Sequence, residues 1–426
     1  MSGTADAARY QLLEISNGNK TIDIKDKVTS LDYYESLLSP NVTAIMSIVD
    51  SGDSSNYDKE YDKQERLGTI YNSLPITGNG QETIKFKVSS SLGTLDFTKK
   101  PFYINSAVNP DQGSNREAVV ISLVSKSAID NQLTKVNKKY TNTITNSVNL
   151  IAKNVLGLEN VEIDQTKNSY SFIGNNKSPF DTLISLASKS IPEKGNPGFF
   201  FYETRERHHF KSIDNLIAKT PVNRGNPYYK TEINKSSINY DNTFKILSSS
   251  INKNQNLINA LKSGVYSNRT VVFNPKTFKQ EETSFVLDDD NLKNSLGKNK
   301  ISKPENENYT RTLYSIKDVG ALSPTIKDTS GGKPQEWQGM VQMRYNLLFT
   351  QVANITVACN PNLKAGDVIE CNFEIITHSK KEPGVADPVQ SGKYLILDLC
   401  HHYDTERSFT SMTLVRDTYG KYAKEN

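Results

Sequence analysis

The stretch NLKAGDVIECNFEI, residues 362–375, sets how the rest of the chain is read. Gly366 and Asp367 mark a turn. Beyond it Ile369, Cys371 and Phe373 fall on one side of an extended chain, and Glu370, Asn372 and Glu374 on the other. Alternation with period 2 is the mark of a half-buried β-strand. Such a strand belongs either to an ordinary β domain or to a unit built to repeat around an axis.

The same signal recurs on both sides. TIKFKVS (83–89) sets Ile84, Phe86 and Val88 against Lys85 and Lys87. NVTAIMSIVDSG (41–52) is a continuous apolar strand closed by Asp-Ser-Gly. PFYINSAV and EAVVISLVSKS are strands separated by the turn-rich NPDQGSN. Towards the end come ITVACN, DVIECNF, KYLILDL and FTSMTLVRD. The middle changes character. In 142–158, Ile144, Val148, Ile151, Ala152 and Val155 share a helical face that stops at Gly157. In 178–195, Ser178 is an N-cap, Pro179 takes the first helical position and Asp181 lies in the first turn, with Phe180, Leu183, Ile184 and Ala187 buried. GFFFYETRERHHFKSI (198–213) predicts a hairpin turning at Arg205–Arg207. Short helices are predicted over 252–264, ended by Gly264, and over 336–349. VYSNRTVVFNPKTF (265–278) is strand-like.

A chain of 426 residues is longer than one typical core supports. The expected division is a first β-barrel domain over 1–130, a helix-containing bracing domain over 131–217 and a second β-barrel domain over 218–426. Residues 288–333 are polar and rich in turn formers, and predict a long excursion. Tyr (21) and Phe (16) are abundant against one Trp, which favours strands with aromatic cross-strand pairs. The net charge of +4 comes from 51 basic and 47 acidic residues, a balance that excludes a dedicated nucleic-acid binder. The first residues lack a signal-peptide layout, and no apolar run reaches the roughly 20 residues of a membrane span. A cytoplasm-like compartment and no membrane anchor are expected, in keeping with three scattered cysteines, Cys359, Cys371 and Cys400.

The β regions also match each other. FYINSAV leads through a polar turn to VVISLVSK, as YLILDLC leads through HHYDTERS to SMTLVRD. Ile104 to Val124 spans the same interval as Leu395 to Val415, and Ser122–Ser125 lies over Thr413–Arg416. One β module used twice, with helices between the copies, is the reading.

With LLSPNVTAIMSIVDSG, LPITGNGQETIKFKV, AVVISLVSKSAIDN, SPFDTLISLASKS, GFFFYETRERHHFKSID, LKSGVYSNRTVVFNPKTFK and the closing strands in this order, the chain resembles the central baseplate hub proteins of contractile-tailed, T-even-like bacteriophages. The resemblance touches nearly the whole chain outside 288–333. It implies an α+β, mainly β fold with two tail-tube-like antiparallel barrels and a helix-containing domain between them. It further implies a homotrimer whose pseudo-six-fold ring joins a six-fold tail tube to a three-fold spike, at home in the virion after assembly in the host cytoplasm. Its partners would be a tube or tube-initiator protein, other baseplate proteins and a separate trimeric spike, since the sequence closes soon after the last barrel strand. DNA would pass through without specific binding. In that frame Glu370, Asn372 and Glu374 are candidates for channel-facing or solvent-facing barrel positions.

Enzymatic alternatives find little support in the residues. His208-His209 and His401-His402 point to opposite faces of a strand, and only His378 is left to help Asp404 hold a metal; surface or inter-strand histidines are the simpler reading. Cys359 and Cys371 are too far apart for a metal-binding pair and read as buried apolar residues. TSGGKPQ (329–335) follows Lys333 with Pro, unlike a phosphate loop. Asp288-Asp289-Asp290 lacks a calcium-loop spacing. Glu203 and Glu206 are the carboxylates that a peptidoglycan hydrolase would use, although a charged, solvated hairpin accounts for them. Trp337, Met340 and Tyr345 are expected to anchor the late helix to its barrel. No cofactor, metal or catalytic residue is expected. The rivals to a phage hub are a hydrolase or glycan-binding tail protein and the hub of a phage-derived injection system.

Overall fold

The computed structural model describes residues 7–51, 70, 74, 76–112, 116–230, 242–253, 256–287, 294–297, 311–317, 332–375 and 386–420. The architecture is α+β and mainly β, with large antiparallel sheets. The first eight strands are β1 (Arg9–Ser16), β2 (Thr21–Asp23), β3 (Val28–Ser36), β4 (Thr43–Asp50), β5 (Thr83–Ser90), β6 (Gly93–Asp96), β7 (Phe102–Gln112) and β8 (Glu117–Val124). They curl round one core that buries Leu13, Tyr33, Met46, Phe86, Phe102 and Ile121. Alternation dictates which side faces in: in β5, Ile84, Phe86 and Val88 are buried while Lys85 is exposed.

The middle of the chain carries α1 (Lys126–Leu133), β9 (Lys139–Tyr140), α2 (Ile144–Asn154), β10 (Val161–Ile163), β11 (Phe172–Ile173), α3 (Pro179–Ala187), β12 (Phe199–Glu203), β13 (His208–Ser212) and α4 (Ile213–Ile217). Val148 and Ile151 of α2 meet Leu183 and Leu186 of α3 over Phe199, Phe201 and Phe210. The start of α3 follows from its sequence: the Ser178 hydroxyl accepts from the Asp181 N–H at 3.2 Å, and Pro179 sits where no N–H is needed.

The last part contains β14 (Tyr228–Lys230), β15 (Ile246–Lys253), α5 (Leu257–Ser263), β16 (Ser267–Asn274), β17 (Lys279–Val286), β18 (Arg311–Ile316), α6 (Pro334–Leu348), β19 (Gln351–Ala358), β20 (Val368–Phe373), β21 (Gly392–Asp404) and β22 (Ser408–Arg416). Its core buries Tyr228, Ile355, Cys371, Tyr394, Met412 and Leu414. Gly366 makes the turn into β20 at φ +83°, and a Cβ there would lie 2.5 Å from the Tyr202 hydroxyl. Backbone angle and space therefore both demand glycine.

One sheet runs through both cores in the order β15-β19-β22-β21-β3-β4-β8-β7-β5-β1-β2, with β6, β14 and β20 attached at its sides. Inside it the same four-strand unit occurs twice, as β3-β4-β8-β7 and as β15-β19-β22-β21. In the first unit Tyr103 faces Val124 and Ile104 faces Leu123; a bulge follows, and Ser106 faces Ser122. In the second, Leu395 faces Val415 and Ile396 faces Leu414; a bulge follows, and Asp398 faces Thr413. A second bulge also recurs. Val28 faces Ile48 and Ser30 faces Ser47, as Ile246 faces Val357 and Ser248 faces Thr356. Bulges change a strand's twist and re-aim its side chains, so repeating both at matching positions gives the two units one curvature.

Several details differ from the sequence reading. The sequence aligned Ile104 with Leu395, but Tyr103 is the true counterpart, because β7 carries an additional bulge between Val108 and Asp111 that inserts one residue. β1 and β3, passed over at the polar-flanked start of the chain, are full core strands. The polar excursion contains order: β18 runs parallel to β16, and Leu296 is completely buried. The late helix begins at Pro334. Its anchors are Met343, Arg344, Leu347 and Leu348, while Trp337 and Met340 are only half-buried. Tyr345 does anchor, by donating to the Phe199 carbonyl. Gly339 lets this helix approach β16 and β17, since a Cβ would fall 2.2 Å from Asn268 Oδ1.

Candidate functional site

The face that the eight strands of the two units present opposite the two cores is the candidate site. In the first unit it presents Thr43, Ile45, Ser47 and Val49 from β4, Val120 and Ser122 from β8, and Asp32, Tyr34 and Ser36 from β3, all exposed or half-buried. The second unit continues it with Asn354 and Thr356 of β19, Ser411 and Thr413 of β22, and Ser248 and Ser250 of β15. Strand β21 adds Asp398, Cys400 and His402. None of these positions is Lys or Arg, although the whole chain has 51. The face is thus lined by hydroxyls, amides and short apolar groups, and its charges are acidic.

The joint between the units lies on this face. β21 leaves β20 after Leu395 and pairs with β3 from Asp398–Ser36 to Asp404–Ser30. His402 Nδ1 lies 2.5 Å from Asp32 Oδ1, and its Nε2 3.3 Å from Asp404 Oδ2. Two backbone N–H groups, of Glu406 and Arg407, hold the Asp404 carboxyl below its ordinary value against the upward push of burial. Burial first, and the neighbouring Asp32 second, push the Cys400 thiol up to about 12. At neutral pH it is a protonated thiol, not a nucleophile.

Behind the joint the middle region clamps both cores. Glu35, 2% exposed, accepts from the Tyr33 hydroxyl at 2.7 Å, the Arg205 N–H at 2.8 Å and the Ala365 N–H at 2.9 Å. One carboxyl thus ties β3, the β12–β13 hairpin and the turn before β20. Burial raises it to about 7 despite these donors. Arg344 of α6 is completely enclosed and bridges Asp214 at 2.8 Å and Asp417 at 2.7 Å. It fastens α4 and α6 to the end of β22.

The sequence candidates fall as follows. Glu370 and Asn372 stand on β20, which joins the sheet beside β21 and is not one of the eight strands of the two units; both are half-buried, and Glu374 lies just beyond its end. The backbone of Glu370 exchanges two hydrogen bonds with the Asn223 amide. His208, His209 and His401 are buried rather than on the surface, the last beside the Thr410 hydroxyl at 2.9 Å, and only His402 is half-buried. Burial lowers His401 to about 3 and His209 to about 4. His378 lies outside the described residues, as does Asp288-Asp289-Asp290. Among the described residues no three His, Cys, Asp or Glu converge in a metal-binding group, and no helix is long and apolar enough to cross a membrane. Glu203 is half-buried and partnered rather than freely solvated: Oε2 accepts from the Val42 N–H at 2.9 Å and the Ser125 hydroxyl at 2.7 Å. Glu206 is the exposed partner of Lys364, at 3.0 Å. The hairpin turn shields Glu203 because Ser125 and Ser127, at the start of α1, fold over it. Glu35 was missed because a single Glu in YYESLL gives no sign that three elements will close round it.

No protein-family model matches the chain, and no curated protein sequence does. Solved structures do. The 43 kDa tail protein of prophage MuSo2 from Shewanella oneidensis superposes with a TM-score of 0.55 at 10% identity, covering 96% of this chain and 99% of the other. The tail protein from Neisseria meningitidis MC58 superposes with a TM-score of 0.52 at 8% identity, covering 96% and 97%. The chain shares its fold with these two tail proteins. At such low identity what is shared is backbone architecture, and the likeness extends over almost the full length of each chain.

Proposed function

We propose that the chain is a structural tail component, the hub of a contractile-tail baseplate. Three copies form a pseudo-six-fold ring round the DNA channel and join a six-fold tube to a three-fold spike supplied by another chain. The observation that carries this reading is the duplicated four-strand unit with matched register and bulges. Two equivalent units per chain let three chains present six, which is the arithmetic of a three-to-six symmetry adaptor. The open face supplies the channel lining. Binding to a phosphate backbone is driven by Lys and Arg that displace counterions, and a wall of hydroxyls with a few carboxylates lets DNA slide past. Glu370 and Glu374, on and just beyond β20 rather than on the eight strands of the two units, take the solvent-facing role. The middle region braces the ring from behind and offers surface to other baseplate proteins.

Light scattering behind size exclusion, with negative-stain images of the same peak, tests the proposal. The expected particle has three times the 47.6 kDa of one chain and a central hole. A monomer at every concentration, alone and with its spike chain present, would sink it.

A further inference from the structure

The two units end on different edges. In the second, β21 pairs with β20 up to Leu395, the Ile396 N–H donates to the Asp367 carbonyl, and the strand then crosses to β3. The first unit begins identically. β7 pairs with β5 at Tyr103, and the Ile104 N–H donates to the Glu82 carbonyl. Beyond that point β7 has no strand on this side among the described residues. At the other end of the sheet β15, the counterpart of β3, pairs with β19 and, on the side where β3 receives β21, has no strand along Ser248–Asn252 among the described residues. Exposure follows pairing. On the open edges Asn105, Ser106, Asn109, Ser248, Ser250 and Asn252 are exposed, and Val108 is 59% exposed, whereas Leu397, the counterpart of Asn105, is buried.

From this we infer that β7 of one chain pairs antiparallel with β15 of a second copy, in the register that β21 adopts on β3. Cys400 faces Tyr34 in the internal joint, so Val108 of one chain faces Asn252 of the next. The inference rests on the ring reading and gives it a specific interface. The chain itself holds the argument for a second copy as the occupant: its internal joint is already a β7-type edge seated on a β3-type edge, with the same bulges setting the same twist on both sides. Open edges of this kind are templates for another strand. A head-to-tail contact of one edge type on the other repeats until it closes.

Paired cysteines test it. Directly opposed Cα atoms in an antiparallel pair lie about 4.5–5.5 Å apart, inside the range a disulfide spans. Val108→Cys/Asn252→Cys, oxidised mildly after assembly, is expected to give covalent dimers and trimers and nothing larger on non-reducing gels. The off-register pair Val108→Cys/Ser250→Cys, each single variant and the natural protein should give at least tenfold less. A trimer by light scattering without this cross-link, or with the off-register pair linking better, overturns the edge pairing and leaves the ring standing. Ladders beyond the trimer, or no self-association at all, overturn both.

Discussion

The two four-strand units share register and bulges but differ in how their outer ends are covered. The second is buttressed: Leu395, Leu397 and Val415 of its outer face pack with Leu37 just after β3, with Tyr202 and Leu216 of the middle region and with Leu348 of α6. The corresponding end of the first is left half-exposed at Tyr103 and Val124. Geometry was held fixed while side chains diverged, because a one-residue slip would turn every core residue outward, whereas the identity of an apolar residue on a covered face is far less constrained. What differs between the units is therefore what each one touches.

The strongest way to break the comparison is to remove the second unit's buttress. Arg344→Ala leaves Asp214 and Asp417 buried without their cation, a change that costs about 3–5 kcal/mol. Chemical denaturation should show that loss, with hydrogen exchange rising first in β19 and β22 and later in β4 and β8. Next come the bulges. Deleting Leu397 removes a buried residue at the joint and pulls β21 out of register with β3; about 2–5 kcal/mol should be lost. Deleting its counterpart Asn105, which is exposed, should leave folding nearly intact and abolish trimer formation. Equal destabilisation by the two deletions would contradict the assigned edges.

Acid and base act on the joint in opposite senses. Glu35 keeps its proton up to about 7 in the fold but releases it near 4.5 when unfolded, so its contribution falls as pH rises through that window, by about 1 kcal/mol between pH 6.5 and 8. His401 and His209 stay neutral down to about 3 and about 4, while the unfolded residues protonate near 6.5. Their burial therefore costs stability as pH drops below 6.5. Thermal unfolding across pH should show a gentle decline above pH 6.5 that is absent in Glu35→Gln, and a steeper acid-side loss in that variant. The smallest effect on stability, within about 0.5 kcal/mol, belongs to Ser47→Lys with Thr356→Lys, equivalent positions of the open face. Their effect is on DNA instead: the assembled natural protein should retain no labelled duplex at physiological salt, while the double variant gains salt-sensitive binding.

Much of this was legible from sequence. The strands with clean alternation, the Ser178-Pro179 helix start, the Gly264 stop and the hairpin at 198–213 all follow from local rules. The likeness of the two β regions was visible in FYINSAV and YLILDLC, yet off by one residue, since a bulge leaves no compositional trace. The acidic side of β20 is conspicuous in the sequence, whereas the face proposed as the channel lining is one of Ser, Thr and Val, and only sheet order reveals which strands lie side by side. Buried histidines and Glu35 were invisible because burial of a polar residue depends on distant elements.

Hydrogen exchange on monomer and assembly tests the central claim most directly. In the monomer, amides of β3 and β21 should be protected, while the outer amides of residues 105–109 and of β15 exchange quickly. On assembly those two segments, and no other strand of the open sheet, should become protected together. If they stay fast in a trimer, the units are not joined edge to edge and the ring is built some other way.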